Sequence, residues 1–204
     1  MPPGRIVGMV VAYSMSPDMA KKATPHPTLS TTRLRLRQFR AEDTDAMHEC
    51  FADPEAMRFW NRPVHTKQIE TERVVRNCIE CTPSYYRFWA VADAETDRCL
   101  GLVNYHDGHI RSKRVSIGYI IKPSRQRQGL ATEAVSAMLD FCFGELRLHR
   151  VQAFTHLDNI ASRKLVEKLG FRREGLLRDN LRVGDDWRDD VLYALLETDR
   201  LSLP

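Results

Sequence analysis

The sequence lacks any apolar run long enough to cross a membrane. Of its 204 residues 43% are hydrophobic, yet no stretch approaches the roughly 20 consecutive apolar residues of a transmembrane helix. The run IVGMVVAY (residues 6–13) has little preceding positive charge and no clear cleavage site, so it is not typical of a secretory signal. We therefore expect no membrane partner, and we expect the proline-rich residues 1–28 to form a flexible tail.

Cysteine is scarce, and its spacing argues against a disulfide framework. The five cysteines, an odd number, are scattered among apolar segments, which is typical of reduced thiols in the cytoplasm. Cys78 and Cys81 form a CxxC motif, but a structural zinc site needs a second ligand pair. A thioredoxin-type motif opens a helix, whereas this one ends a helix-like segment. The sequence thus predicts a cytoplasmic protein with no metal site.

A strong charge of one sign is also lacking. Lysine and arginine number 31 and the acidic residues 27, a net charge of +4, whereas nucleic-acid-binding domains are usually far more basic. In TTRLRLRQFR (residues 31–40), Leu34 and Leu36 alternate with arginines that end at Arg37. That alternation favours a strand with a buried leucine face and a solvated arginine face. We expect no nucleic-acid partner, although a small anionic ligand remains compatible with this charge.

Hydrophobic periodicity predicts one domain after the tail, residues 29–200, with no internal repeat. A period of two or a β-rich composition predicts strands over 33–39, 85–93, 98–107, 114–121, 149–156, 171–178 and 187–197. A period of 3.6 predicts four helices, over 41–53, 65–81, 129–144 and 159–170. This order favours an α+β fold with a mostly antiparallel sheet and a βαβ crossover around the third helix.

Finer features of these elements also follow from the residue pattern. Thr66 is a suitable cap for the second helix, and Ile69, Val74 and Cys78 are expected on its inner face. Asp107-Gly108 has the composition of a turn between two strands.

The segment RQRQGLATEA (residues 125–134) joins a strand-like run to a helix. A Walker A loop would end in Gly-Lys-Ser/Thr, and a dinucleotide fingerprint would contain three glycines, but this loop has Gly129 alone. The free N–H groups of a helix start still favour an anion, and the small Gly129 and Ala131 would let a ligand approach the backbone. Taken alone, the loop fits an ordinary helix start as well as a phosphate site.

Two longer stretches carry a resemblance to a known family. IGYIIKPSRQRQGLATEAVSAML resembles the acetyl-coenzyme-A motif of GNAT-superfamily N-acetyltransferases, Gln/Arg-x-x-Gly-x-Gly/Ala, and THLDNIASRKLVEKLGFRREGLLRD is similar to the second half of their core. The features similar to the RimJ/RimL-like branch, the ribosomal-protein alanine N-acetyltransferases, are Gly118-Tyr119, residues 131–134, Asn159-x-x-Ser162, Gly170-Phe171 and WRDDVLYALL. The resemblance covers residues 30–200 and implies a GNAT domain whose twisted sheet splays at the cofactor site, with acetyl-CoA as co-substrate, an amine acceptor and a monomeric or homodimeric state.

The resemblance also implies roles for individual residues. Main-chain groups of Tyr119 and Ile121 would pair with the pantetheine arm, Gln126 would frame the loop, and Asn159 would hydrogen-bond the pantetheine. The pyrophosphate would lie against the main-chain amides of Arg127, Gln128, Gly129, Leu130, Ala131 and Thr132. The oxyanion of the reaction would accept a hydrogen bond from a main-chain N–H near Ile121.

The acid and the base of the reaction depart from the family pattern. Many GNAT members have a tyrosine that acts as general acid at the helical position that Val166 occupies here. Valine cannot donate a proton, so we expect Ser162 to protonate the thiolate, since it shares a helical face with Asn159. An alternative is that Ser162 makes local helical hydrogen bonds. Gln152 and Ser116 stand where relatives often have a carboxylate, and His106 or Glu174 could assist instead or be structural.

Aromatic residues and the amine itself bear on the acceptor. Trp60 and Tyr105, together with His106, are candidates for an acceptor pocket, although aromatic strand residues more often belong to a core. About a quarter of an α-amine of pKa near 8 is neutral at pH 7.5, against about one part in a thousand of a lysine. We therefore expect acetylation of a protein or peptide N-terminus. A small-molecule amine acceptor, or a non-catalytic acyl-CoA sensor, are the alternatives.

Overall fold

The computed structural model describes residues 26–80, 86–109 and 111–200, and these form a layered α+β structure. The strands are β1 (Leu29–Ser30), β2 (Leu34–Arg37), β3 (Arg87–Asp93), β4 (Cys99–His109), β5 (Arg114–Ile121), β6 (Arg150–His156), β7 (Arg172–Val183) and β8 (Asp186–Leu196). The helices are α1 (Thr44–Phe51), α2 (Pro54–Met57), α3 (Gln68–Glu80), α4 (Leu130–Gly144), α5 (Ile160–Lys168) and α6 (Glu197–Arg200). The predicted fold class is confirmed. The predicted tail lies outside the described residues up to residue 25.

One sheet joins the strands in the order β1-β2-β3-β4-β5-β6-β8-β7. Neighbouring strands are antiparallel except β5 and β6, which are parallel and are connected through α4. Their pairing begins at Arg114 and Arg150 and ends at Ser116 and Gln152, although β5 continues to Ile121. The two strands therefore separate at the middle of the sheet, where the predicted βαβ crossover lies.

The core occupies both faces of the sheet. On one face α4 buries an apolar stripe that includes Val135, Met138 and Leu139 against strand residues such as Val103 and Val151. Fully burying one such side chain stabilises the fold by roughly 1.5–3 kcal/mol. On the other face α1 and α3 cover a second cluster of buried side chains. The sheet is thus covered by helices and buried side chains on both faces.

The alternation predicted that all the arginines of β2 would be solvated, but one of them is buried. Arg37 is only 5% exposed. Its guanidinium donates to both carboxylate oxygens of Asp43, at 2.8 and 2.9 Å, and through Nε to Asp97 at 3.0 Å. Because two carboxylates neutralise it, the buried charge is tolerated, and the pKa of Arg37 is raised by the hydrogen bonds that it donates to Asp43 and Asp97.

The predicted inner face of α3 is correct for Cys78, which is buried, and for Val74, which packs against the core, but it is wrong for Ile69. Ile69 is 43% exposed, and the buried residues of the helix are Thr71, Val75 and Cys78. Thr66 stands two residues before the helix, where its N–H donates to the Glu70 carboxylate at 2.8 Å. The Thr71 hydroxyl has a partner on each side, the Nδ1 atoms of His48 and His65, which compensates its burial.

Two further differences concern short elements. Asp107-Gly108 belongs to β4, where Asp107 has a φ of +52° and the register with β5 shifts, so the pair forms a bulge instead of a turn. The helices α2 and α6 have four residues each, too few for a helical period to show in the sequence. Local chemistry still explains α2, since Asp53 accepts from the Ala56 N–H at 2.7 Å and Pro54 is the first helical residue.

Candidate active site

The separation of β5 from β6 exposes a row of main-chain groups in the middle of the sheet. The Lys122 N–H donates to the Leu100 carbonyl at 2.8 Å, on the β4 side. Main-chain groups alternate between the two sides of a strand, so the N–H and C=O of Ile121 and Tyr119 point toward β6. Since β6 pairs with β5 only as far as Ser116, β6 does not engage these groups. The Ile121 carbonyl accepts from Gln126 instead, and the Tyr119 groups and the Ile121 N–H face the side from which an extended ligand with amide groups could pair.

The loop after β5 is tied to the end of that strand and leads directly into α4. Gln126 donates through Nε2 to the Ile121 carbonyl at 2.9 Å, which fixes the loop against the open edge. Gly129 is the N-cap of α4 and has a φ of +78°, and Arg127 has a φ of +58°. Left-handed residues in a tight loop direct neighbouring N–H groups to one side and form an anion-binding concavity. The macrodipole of the 15-residue α4 adds to this effect.

The sequence analysis missed a set of contacts that holds this loop from the side of β2. In these contacts, which we call the Arg33 staple, Arg33 and Thr31 bind Gln128 and Glu133. Arg33, immediately before β2, donates through Nη1 to the Gln128 carbonyl at 3.0 Å and through Nε to Glu133 at 2.7 Å. The Thr31 hydroxyl also donates to Glu133. Burial opposes ionisation of Glu133, but these hydrogen bonds outweigh it and lower the pKa of the carboxyl. A separation of 100 residues between the partners leaves no local signal for this contact.

The N-terminus of α5 brings two hydroxyl groups together beside the open edge of β5. Asn159 is the N-cap, and its Oδ1 accepts from the Ser162 N–H at 3.1 Å. The Ser162 Oγ lies 2.7 Å from the Tyr119 hydroxyl. Burial raises the pKa of Tyr119 to about 12, although the hydrogen bond to Ser162 opposes the shift. Tyr119 therefore keeps its proton at any ordinary pH.

The Tyr119 side chain is a functional candidate that the sequence analysis missed. Only main-chain groups of this residue were expected to take part. Val166, the position of the family tyrosine, is fully buried in the core. The phenol instead reaches the same helix from the strand, which becomes visible only when β5 and α5 are placed side by side.

A polar row crosses β4, β5 and β6 on the face opposite α4. His106 pairs with Ser116, and Ser116 with Gln152, in the strand registers. Asn104 Nδ2 lies 3.1 Å from His106 Nδ1, and Gln152 donates to the Ser116 hydroxyl at 3.1 Å. Burial lowers the pKa of His106, which favours the neutral ring near pH 7. Gly118 completes the row, since a Cβ there would lie 2.7 Å from Asn104 Oδ1.

The other predicted site residues lie in different places. Tyr105 is 2% exposed and packs against Trp89 on the α4 side, so its placement favours a role in the core. Trp60 is half-buried and meets the Phe51 ring edge-on, at 5.8 Å between centroids. Glu174 forms an ion pair with Arg150 that lowers its pKa, which makes it a weak base.

Comparison with known proteins agrees with this geometry. Residues 33–172 match the acetyltransferase (GNAT) domain family, and this range includes the open β5 edge, the loop and the Tyr119–Ser162 pair. The chain belongs to the GNAT acetyltransferase family. It is therefore an N-acetyltransferase, and enzymes of this family take the acetyl group from acetyl-CoA.

Characterised and uncharacterised GNAT relatives resemble the chain over most of its length. It is 29% identical over 176 residues to the uncharacterized N-acetyltransferase YoaA of Bacillus subtilis, covering 84% of this chain and 97% of the relative. Identity to the spermidine N(1)-acetyltransferase of Escherichia coli is 25%, with 85% and 91% covered. Identity to the [ribosomal protein uS5]-alanine N-acetyltransferase of Escherichia coli is 30%, with 55% and 58% covered.

Solved structures show the same GNAT fold. An acetyltransferase (GNAT family) from Bacillus anthracis superposes with a TM-score of 0.75 at 27% identity, covering 84% of this chain and 99% of that one. RimL, a ribosomal L7/L12 alpha-N-protein acetyltransferase in complex with coenzyme A, superposes with a TM-score of 0.73 at 22% identity, covering 83% and 98%. The second likeness concerns the fold alone.

The remaining tests concern metals and membranes. Within residues 26–80, 86–109 and 111–200, no three His, Cys, Asp or Glu side chains are grouped as a metal site would require. No helix in the same part of this GNAT protein is long and apolar enough to cross a membrane.

Proposed function

We propose that this protein transfers an acetyl group from acetyl-CoA to the α-amine of a protein or peptide N-terminus. The observation that supports this acceptor is the polar row of His106, Ser116 and Gln152, which contains no carboxylate. An α-amine has a pKa near 8, so about a quarter is already neutral at pH 7.5, whereas a lysine or polyamine needs a strong base. The three residues of the row are neutral groups that can order a water molecule. The neighbouring carboxylate, Asp107, lies 3.6 Å from His106 Nε2, but its side chain is 67% exposed, and water screens such a charge.

The residues around the open edge fit acetyl-CoA. The main-chain groups of Tyr119 and Ile121 would hold the pantetheine amides as an added strand would. Asn159 uses its oxygen as a helix cap, which leaves its Nδ2 to donate to the pantetheine. The pyrophosphate would lie against the amides of residues 127–132, since helix N-termini and left-handed loops bind anions.

The reaction that these residues support is a direct acyl transfer. The amine nitrogen bonds to the thioester carbon, the N-terminal proton passes to water beside His106, and the C–S bond breaks. The Ile121 N–H would stabilise the oxyanion. Ser162 would give its proton to the departing thiolate and recover one from Tyr119, whose phenol is 2.7 Å away. Solvent would then return a proton to Tyr119, which balances the proton that the amine releases to water.

The test is release of free thiol from acetyl-CoA with a panel of amines. We expect release with N-terminal peptides, and mass spectrometry should locate the acetyl group on the α-nitrogen. N-terminally blocked peptides that retain a lysine serve as the matched control and should release none. A preference for spermidine or another small amine over every peptide would contradict the proposed acceptor.

The alternative of a non-catalytic acyl-CoA sensor is not supported, because the family match over residues 33–172 makes this chain an N-acetyltransferase.

A further inference from the structure

A cavity of about 310 Å³ lies between the segment that carries α2 and the hairpin of β7 and β8. Its walls combine apolar residues with four charged ones. The apolar residues are Pro54, Met57, Pro63, Val64 and Val183, and the charged residues are Arg58, Arg62, Arg188 and Asp186. Three of the lining residues are arginines and one is an aspartate, so the lining has a net positive charge. Its volume is in the range of small-ligand sites, about 300–1,000 Å³.

Arg62 is the strongest sign that the cavity binds an anion. Its side chain is half-buried, with the guanidinium 5.9 Å from the centroid of the Phe51 ring. Among the residues that the structure describes, none offers it a carboxylate or a hydrogen bond, and burial lowers its pKa. A guanidinium that has already lost hydration gains more from an incoming carboxylate than an exposed one does.

The other two arginines leave the positive charge of the cavity largely uncompensated. Arg188 donates through Nη1 to the Arg58 carbonyl at 2.9 Å, which joins the hairpin to the α2 segment without neutralising either side chain. Arg58 is paired with Glu55 at 3.8 Å, but both side chains are exposed. Such surface pairs contribute little because water screens them.

The segment that lines the cavity also contacts the end of β6, close to the N-terminus of α5. Phe59 stacks on the ring of His156, with 5.1 Å between centroids, and His156 ends β6 just before Asn159. His156 pairs with Asp190 of β8, and Arg188 lies two residues away on the same strand. Two strand residues span about 6.6 Å, which an extended peptide also covers in about two residues.

We propose that the acceptor carries a carboxylate at the second or third residue after its α-amine, and that Arg62 and Arg188 bind it in this cavity. The inference rests on the proposed function, because it describes the acceptor of the same reaction. It also favours a peptide N-terminus over a polyamine as the acceptor, because these guanidinium groups would repel a polycationic amine.

The experiment compares three sets of peptides that differ only at positions two and three. One set has Asp or Glu there, the second has Asn or Gln, and the third has Lys. With the wild-type protein and acetyl-CoA, we expect kcat/KM to be about 10–100 times higher for the acidic set than for the amide set, the range of a charge-assisted hydrogen bond. The lysine set should be the poorest.

Variants of Arg62 show whether the cavity causes this preference. Arg62→Met keeps the apolar stem and should reduce the preference to less than about threefold. Arg62→Lys keeps the charge and should retain part of the preference. Arg73→Met, an exposed site on α3, removes the same net charge and should leave the preference intact.

Binding of a fluorescent acidic peptide to the coenzyme A complex gives a readout that does not need turnover. Tighter binding to wild type than to Arg62→Met supports the cavity even if no thiol is released, in which case the proposed enzyme activity alone fails. Equal kcat/KM for acidic and amide peptides, or equal binding by wild type and Arg62→Met, would overturn the inference while thiol release still supports the enzyme.

Discussion

The coenzyme side and the acceptor side of this GNAT protein are built in different ways. On the coenzyme side, the groups that we propose to bind the ligand are main-chain groups of β5 and of residues 127–132, and side chains such as Gln126 and Arg33 hold this backbone in place. On the acceptor side, side chains from three distant segments meet, among them Phe59, His156 and Arg188. Backbone recognition requires a loop shape, which a short motif can encode. Recognition by side chains requires a set of residues that no local motif contains.

In the proposed mechanism Ser162 lies between the coenzyme side and the acceptor side. We expect its substitution to have a larger effect than any other substitution below. Ser162→Ala should lower kcat about 10–1000-fold, because the thiolate would leave without a general acid, while affinity for coenzyme A changes little. Steady-state thiol release and calorimetry measure the two quantities. Ser136→Ala, a half-buried helical serine that accepts from Arg200, is the matched control. An unchanged kcat in Ser162→Ala would remove Ser162 from the mechanism.

Gly129 tests whether backbone shape controls the coenzyme side. Its φ of +78° strains any β-branched residue, at about 1–2 kcal/mol, so Gly129→Val should weaken binding of coenzyme A about tenfold or more. The space itself is adequate, since a Cβ would meet Arg33 Nη2 at 3.5 Å. Gly184, with a φ of +63° in the β7–β8 hairpin, gives the control Gly184→Val. Equal losses of affinity in both variants would refute a specific role of the loop.

The Arg33 staple should have a smaller effect, because its side chain is half exposed. Arg33→Gln removes the contacts to Gln128 and Glu133, worth up to about 1 kcal/mol, and should raise the Kd for coenzyme A about threefold to fivefold. Arg35→Gln, two residues along the same strand, removes an equal charge from a 3.4 Å contact with Asp97. If both variants weaken binding equally, Arg33 acts through net charge and not by shaping the loop.

Acid should weaken the same staple by a small amount. The pKa of Glu133 is lowered in the folded state from the ordinary value of 4.5. Its contribution to stability is therefore present above about pH 4.5 and is lost as the pH falls through the folded-state pKa. The Tm difference between wild type and Glu133→Gln, followed by calorimetry from pH 6 to pH 3.5, should shrink. A constant difference over that range would show that ionised Glu133 contributes nothing.

Local patterns in the sequence predicted the coenzyme side better than the acceptor side. The strand before the loop and the helix after it follow from periodicity and from Gly129, and the structure has them as β5 and α4. Contacts between distant residues left no such signal. Tyr119 meets Ser162 across 43 residues, and Arg33 meets Glu133 across 100.

Buried charge and short elements account for the other differences from the sequence-based expectations. The alternation in β2 placed Arg37 with the solvated arginines, because the pattern could not show that Asp43 and Asp97 neutralise it. Similarly, α2 has four residues, so its cap at Asp53 was its only sequence feature. The acceptor cavity depends on this short helix and on a hairpin more than 100 residues away, which explains why its charge was not foreseen.

Hydrogen–deuterium exchange with and without coenzyme A tests the division into two sides most directly. We predict that coenzyme A slows exchange of the main-chain amides of Tyr119, Ile121 and residues 127–132, and leaves the β7–β8 hairpin around Gly184 unchanged. Protection of the hairpin without protection of the loop and the β5 edge would contradict the account.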